Sequence, residues 1–396
     1  MSENHKKNNL FSEFPQVTTQ QWEEKIIADL KGADYEKSLV WKTLEGFKVK
    51  PYYRAEDLQT FKYIDAKPAE FPFVRGSKTI SNEWEIRENI SVVSIEEANK
   101  LALDALSKGA TSLNFVIEDE SIKRTVNSQA DFSALLKGIA FDCIELNFSG
   151  YQITEDFTKY IKAEAKVRGF SKSQLRGSFR KDPLGQLISS GRTSGEAIEQ
   201  VIDELAYQVR NVHEVLPGFR IVSVNGQYYG NNGATVVQEL AFTLAQANEY
   251  LARFTADNIK IDELAPRMEL QFSVSGNYFM EIAKIRAARM LWAIITDKYK
   301  VECNDSKVIY ISSVTTKWNK TAYDPYVNML RATTEAMSAI LGGTDSLIVH
   351  PFNANFNKPN EFSRRIARNI QNILKEEAYL DKIVDPAAGS YYIENL

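Results

Sequence analysis

A strand-length run, Met268 to Val274, feeds directly into a helix-length segment, Gly276 to Tyr299, and this pair constrains the fold more than any other stretch. The run reads as a buried strand. In the segment behind it, Met280, Ala283, Ala287, Met290, Leu291 and Ile294 recur at helical spacing, while Glu281, Lys284, Arg286 and Arg289 occupy the remaining surface. A strand feeding such a helix is half of a parallel β/α repeat, because parallel neighbours need a crossover long enough to hold a helix. The same rhythm runs through the chain. Candidate strands are Leu113–Ile117, Cys143–Phe148, Gln174–Phe179, Arg220–Val224, Met268–Val274, Val308–Val314, Ser346–His350 and Asp385–Ile393, with helical segments between them. Ser94-Ile95-Glu96-Glu97 reads as the capping box of the first of these helices. Strict alternation over eight strands predicts an α/β protein, a (β/α)8 TIM barrel. An open doubly wound sheet is the alternative, but no Gly-x-Gly-x-x-Gly follows the first candidate strand.

The barrel is expected over residues 91–396. Residues 1–90 lack the rhythm and read as an N-terminal arm, extended and helical, with one short helix (WEEKIIADLKG) and many aromatic residues. That arm either packs on its own domain or also wraps a partner subunit. The chain stops just after the last candidate strand. The eighth helix and any C-terminal domain are therefore expected to be missing, as in a fragment of a longer product.

The composition narrows the function. With a net charge of −4, nucleic acid is not an expected partner. Cys143 and Cys303 form no motif, which argues against a disulfide framework and for a reducing compartment. No apolar run is long enough to span a bilayer and the N-terminus lacks a signal core, so a cytoplasmic location is expected. Only His5, His213 and His350 are present, too few and too scattered for a histidine metal site.

Working groups in such barrels sit at the C-terminal ends of strands. After the fourth candidate strand comes Asn225-Gly226-Gln227-Tyr228-Tyr229-Gly230-Asn231-Asn232-Gly233, either a ligand-facing loop or a glycine-rich connector. His350 ends the seventh candidate strand, either as an acid or as a structural residue. Lys317-Trp318 is either an anion-holding loop beside an aromatic face or an exposed turn, and Glu118-Asp119-Glu120 either an acid cluster or a solvated turn.

Several segments resemble the methylmalonyl-CoA mutase family. They are FMEIAKIRAARMLWA (Phe279–Ala293), Ala265-Pro266-Arg267, Asp324-Pro325-Tyr326, Arg331 to Ala336, Leu341 to Leu347, Arg365 to Asn369, and Val384 to Tyr392. The resemblance covers most of residues 15 to 396. It implies a barrel that threads the pantetheine chain of CoA along its axis, and a separate cobalamin-carrying domain marked by Asp-x-His-x-x-Gly, a motif absent from this sequence. Where catalytic chains read Gly-Tyr-His-Met, this one reads Gly226-Gln227-Tyr228-Tyr229, so Tyr228 stands at the position of the thioester-facing histidine. Asn89 stands where a tyrosine covers the substrate, and Ile348 where a histidine occurs. A phenol is bulkier than imidazole and titrates near 10, so it is no replacement.

The resemblance and its departures imply a small subunit that is inactive alone and binds no cofactor or metal itself. Adenosylcobalamin would sit in a catalytic large subunit, its heterodimer partner in propionate metabolism; a homodimer stays open for the isolated chain. The alternatives are a mutase with altered substrate choice and a non-enzymatic CoA-binding module. Asn89, Tyr228, Tyr229, Trp318 and His350 are the barrel-mouth candidates. The sequence leaves open whether the axis is a channel or is plugged by side chains.

Overall fold

In the computed structural model, the described residues are 13–117, 125–150, 153, 156–190 and 195–396. His5 and Glu118-Asp119-Glu120 lie outside them, and of His213 only the backbone is described. The chain divides into two compact units, Met1–Arg54 and Ala55–Leu396.

The first unit holds a helix, Thr19–Asp29, which begins with a reciprocal capping box. Thr18 Oγ1 accepts from the Gln21 backbone N–H at 3.2 Å, and Gln21 Oε1 accepts from the Thr18 N–H at 3.0 Å. The helix buries none of its residues. Trp22 stacks on Tyr52 with ring centroids 4.9 Å apart, and the Arg54 guanidinium lies over Trp22. Phe14, Val17, Ile27 and Leu44 stay exposed.

The second unit is a closed barrel of eight parallel strands. They are β1 (Glu85–Ser91), β2 (Ser112–Val116), β3 (Glu145–Ser149), β4 (Arg176–Lys181), β5 (Phe219–Asn225), β6 (Met268–Val274), β7 (Tyr310–Thr315) and β8 (Ser346–Ile348). Each is followed by a helix: α1 (Ile95–Ser107), α2 (Gln129–Leu135), α3 (Asp156–Arg168), α4 (Gly195–Val215), α5 (Val236–Ala256), α6 (Tyr278–Lys298), α7 (Val327–Leu341) and α8 (Glu361–Glu376). Ser346 and Leu347 pair with Glu85 and Ile86 and close the barrel. The outward strand faces carry the core: Phe115 and Phe148 stack at 5.8 Å, and Phe132 and Phe157 from α2 and α3 pack edge-on at 5.7 Å.

The barrel class stands, but the strand count was displaced by one. Glu85–Ser91, placed at the tail of the arm, is the first barrel strand. Asp385–Ile393 is not a strand: Asp385 has φ +44°, Pro386 follows, and Tyr391–Asn395 is a short helix capped by Ser390. The eighth helix is therefore present, as α8. The closing segment serves the scaffold differently. Asp385 and Glu394 accept from Arg286 of α6 and from Arg75, with Arg75 Nη1 to Glu394 Oε1 at 2.7 Å.

The expected faces of α6 also change. Leu291 is exposed and Ala283, Ala287, Met290 and Ile294 are half-buried, whereas Glu281, Lys284, Arg286 and Arg289 are buried. Each of these charges is matched. Lys284 Nζ lies 2.7 Å from both Glu239 Oε2 and Glu281 Oε2. Arg289 donates to the carbonyls of Gly342 and Gly343 behind α7. Pairing of this kind is what permits a charge to leave water.

Candidate functional site

Alternate residues of each strand point into the barrel, and here the inward set is polar. Arg87 on β1 has a fully buried side chain. Its Nε donates to Ser112 Oγ at 2.9 Å, its Nη1 to Ser312 Oγ at 3.2 Å, and its Nη2 to Glu145 Oε2 at 2.7 Å. Arg220 on β5 donates to Glu145 Oε1 at 3.2 Å and to Glu269 Oε2 at 2.9 Å, with its guanidinium 3.5 Å from the centre of the Tyr310 ring. The Tyr310 hydroxyl on β7 donates to Glu145 Oε2 on β3 at 2.8 Å. β3 and β7 stand on opposite sides of the barrel, as do β1 and β5. The Tyr310–Glu145 bond therefore crosses the axis, and with Arg87 and Arg220 bonded beside it the layer closes the axis.

The charges within this layer set one another. Burial pushes Glu145 up, but Arg220, Arg87 and the donated hydrogen bonds outweigh it and hold the carboxyl down at about 2. Glu269 is likewise held below its ordinary value, with Arg220, Arg180 and Arg87 overcoming burial. Burial lowers Arg180 to about 10 despite Glu269, whose Oε1 lies 3.4 Å from its Nε. Arg180 sits at φ +39° in an irregular stretch of β4, between Ser178 and Lys181.

Above the plug lie the expected mouth residues, which the fold only partly brings together. Asn89 is exposed at the end of β1 and accepts from Asn114 Nδ2 at 2.8 Å. Ile348 is buried at the end of β8, beside Val314. The glycine-rich stretch after β5 is a helical turn, Gln227–Gly230. Gln227 Nε2 donates to Gln271 Oε1 at 3.1 Å, and half-buried Tyr228 packs against Gly185, where an added Cβ would meet its ring at 2.7 Å. Tyr229 turns away from the axis: its hydroxyl donates to Gln246 Oε1 of α5 at 2.9 Å and its ring meets Phe242. Burial, helped by Asp182, raises its phenol. Trp318 is 67% exposed and stands over Gly233. His350 is half-buried. Burial, then Lys317 and Lys320, push its imidazole down to about 3, which keeps it neutral.

Sequence reasoning missed the axial groups and Asp182. The Asp182 carboxylate accepts from Gln246 Nε2 at 2.5 Å, the Tyr250 hydroxyl at 2.8 Å and the backbone N–H groups of Asn225 at 2.8 Å and Gly185 at 3.1 Å. Burial nevertheless lifts it to about 6. It ties β4 to β5 and α5. Among the described residues, no group of three or more His, Cys, Asp or Glu side chains could hold a metal ion, and no helix is long and apolar enough to cross a membrane.

The family model described as methylmalonyl-CoA mutase matches residues 42–396. The methylmalonyl-CoA mutase small subunit of Porphyromonas gingivalis is 42% identical over 400 residues, covering 98% of this chain and 62% of that protein. That of Streptomyces virginiae is 31% identical over 399 residues, covering 98% and 62%. The methylmalonyl-CoA mutase of Rhizobium meliloti is 31% identical over 402 residues, covering 96% and 56%. The chain thus spans between 56% and 62% of the length of these relatives. Barrel, motifs and matches agree that this chain belongs to the methylmalonyl-CoA mutase family.

Proposed function

We propose that this chain is the barrel part of a small subunit that turns over no substrate itself and supports a catalytic large subunit interconverting methylmalonyl-CoA and succinyl-CoA in propionate metabolism. The observation that carries this is the closed axis: Tyr310, Glu145, Arg87 and Arg220 meet where the family resemblance implies a pantetheine path. The mouth supports it, since Asn89, Tyr228 and Ile348 replace groups that would cover and grip an acyl thioester. Two relatives carry "small subunit" in their names, which speaks for a large partner. Adenosylcobalamin belongs in that partner on this reading. Asn89, a short amide already bonded to Asn114, offers no ring to lie against the cofactor. The arm's exposed Phe14, Val17, Ile27 and Leu44 suit burial in a subunit interface.

The test is to purify the complete gene product alone and with its large subunit. Turnover is expected only with the large subunit, whose thermal stability should rise in the complex. Turnover by this chain alone with adenosylcobalamin would overturn the reading. A second reading, a chain that holds CoA without turning it over, draws on a cavity of about 430 Å³ below the plug, lined by Phe73, Pro266, Met268, Arg220 and Tyr310. Calorimetry with CoA decides between the two.

A further inference from the structure

A second cavity, of about 340 Å³, lies above the plug, between the ends of β1 and β8 and the first turns of α8. Its volume falls within the range that seats small molecules. Its charges are unbalanced. Lys317, Arg364 and Arg368 line it, and among the described residues Glu88 is the one carboxylate in its lining. Glu88 is already engaged, accepting from Arg368 Nη1 at 2.6 Å. The Arg368 side chain is 4% exposed, and its Nε has no hydrogen-bond partner among the described residues. Arg364 gives one long bond of 3.3 Å to the Pro359 carbonyl and makes no ion pair within 4 Å among the described residues, although Glu88 and Asp104 feel its charge. The Lys317 ammonium likewise has none there, although its backbone is fixed by Asn231 and Asn355. His350 shares the cavity, and its ring feels the Lys317 charge.

An excess of cations over carboxylates in a partly enclosed pocket is an arrangement that an anion completes. The positive end of α8 adds to the same field. The layer below closes the axis, so a ligand reaches this pocket only from the C-terminal side, and a long pantetheine-linked molecule cannot lie along the barrel with its head here. We propose that this mouth pocket binds a small free dianion, an inorganic phosphate or a short dicarboxylate, through Lys317 and Arg364, with His350 and Asn89 as hydrogen-bonding partners. The site needs no turnover by the chain, so it stands or falls separately from the functional reading above.

The experiment is calorimetric titration of the complete chain at constant ionic strength. One arm uses inorganic phosphate, another succinate, and a control uses the uncharged succinamide. The emission of Trp318, next to Lys317, gives a second readout. Saturable one-site binding of phosphate or succinate is expected, the better of the two naming the ligand class, with no binding of succinamide. Lys317→Gln and Arg364→Gln should each weaken it about tenfold, as expected for the loss of one charge-assisted contact. Lys172→Gln, on an exposed turn far along the chain, should leave it unchanged. Neither Lys317 nor Arg364 is buried, so the variants keep the fold, which circular dichroism verifies. The proposal is overturned if neither dianion saturates, or if binding persists undiminished in both variants.

Discussion

Replacing Glu145 by Gln tests the axial plug directly. The carboxylate accepts from Arg87, Tyr310 and Arg220 at 2.7, 2.8 and 3.2 Å. A carboxyl that ordinarily titrates at 4.5 and sits here at about 2 has its charged form stabilised by roughly 3 kcal/mol. An amide keeps the shape but leaves Arg87, Arg180 and Arg220 facing Glu269 alone. Breaking a buried pair in this way costs on the order of 3–5 kcal/mol, so a loss of about 3 kcal/mol is expected for Glu145→Gln. The pH dependence has a defined sign. A group whose folded pKa is depressed contributes fully above its unfolded value and loses that contribution as pH falls through its folded value. The gap between wild type and variant should stay constant above about pH 5.5 and narrow between about 4.5 and about 2. Urea unfolding of both proteins at pH 7, 5.5 and 4 measures it. A difference under about 1 kcal/mol at pH 7, or one that does not narrow toward acid, would refute the account of a charged layer across the axis.

Other expectations follow from the same geometry. Lys284→Met leaves Glu239 and Glu281 without their shared ammonium and should cost about 3–5 kcal/mol in urea unfolding at pH 7. Asp182 has a folded value raised from 3.8 to about 6, so it favours the fold below about pH 3.8 and that contribution is lost as pH rises through about 6. Asp182→Asn should remove this component from the stability-versus-pH curve. An added Cβ at Gly177 would lie 1.8 Å from the Leu146 carbonyl oxygen, so Gly177→Ala must part β3 from β4; a melting temperature well below that of wild type is expected.

The barrel was legible because β/α alternation is written in local patterns. Its first strand was not, for a physical reason. Glu85–Ser91 places Ile86 and Ile90 toward the helices and Arg87 and Asn89 toward the axis, so it reads like the edge of a solvated arm. Met268–Val274 shows the same alternation, with Glu269, Gln271 and Ser273 between apolar residues, and all seven are buried. The signal for a polar axis was therefore present as alternation. What no local pattern shows is that Tyr310 and Glu145 meet across the barrel, with Arg87 and Arg220 bonded beside them. The charges of α6 were misplaced for a related reason: their partners Glu239, Asp385, Glu394 and the Gly342–Gly343 carbonyls lie far along the chain. Asn89, identified by resemblance, does face the mouth, whereas Tyr229 turns outward because Gln246 and Phe242 hold it.

Residues in the segments that carry the family likeness hold the scaffold together. Arg286 and Arg289 anchor the closing segment and the turn behind α7, and Asn319 and Lys320 are fixed by Glu335 of α7, with Lys320 Nζ 2.6 Å from its Oε1. Such residues report the fold, while the proposed loss of activity turns on the axis and mouth. One graft separates the two. Installing the family's mouth groups by Asn89→Tyr and Tyr228→His changes exposed or half-buried positions and leaves every bond of the plug in place. If the proposed inactivity came from missing mouth groups alone, this double variant would gain measurable mutase turnover with adenosylcobalamin and a cobalamin-carrying partner domain. If the closed axis is decisive, it gains none, because the pantetheine cannot pass the layer where Tyr310 meets Glu145. Adding Arg87→Ser and Glu145→Ser removes one guanidinium and one carboxylate together, so the layer's net charge is unchanged. Uptake of CoA by that quadruple variant, absent from the double variant, is the expected contrast; turnover by the double variant would show that the plug is not the barrier.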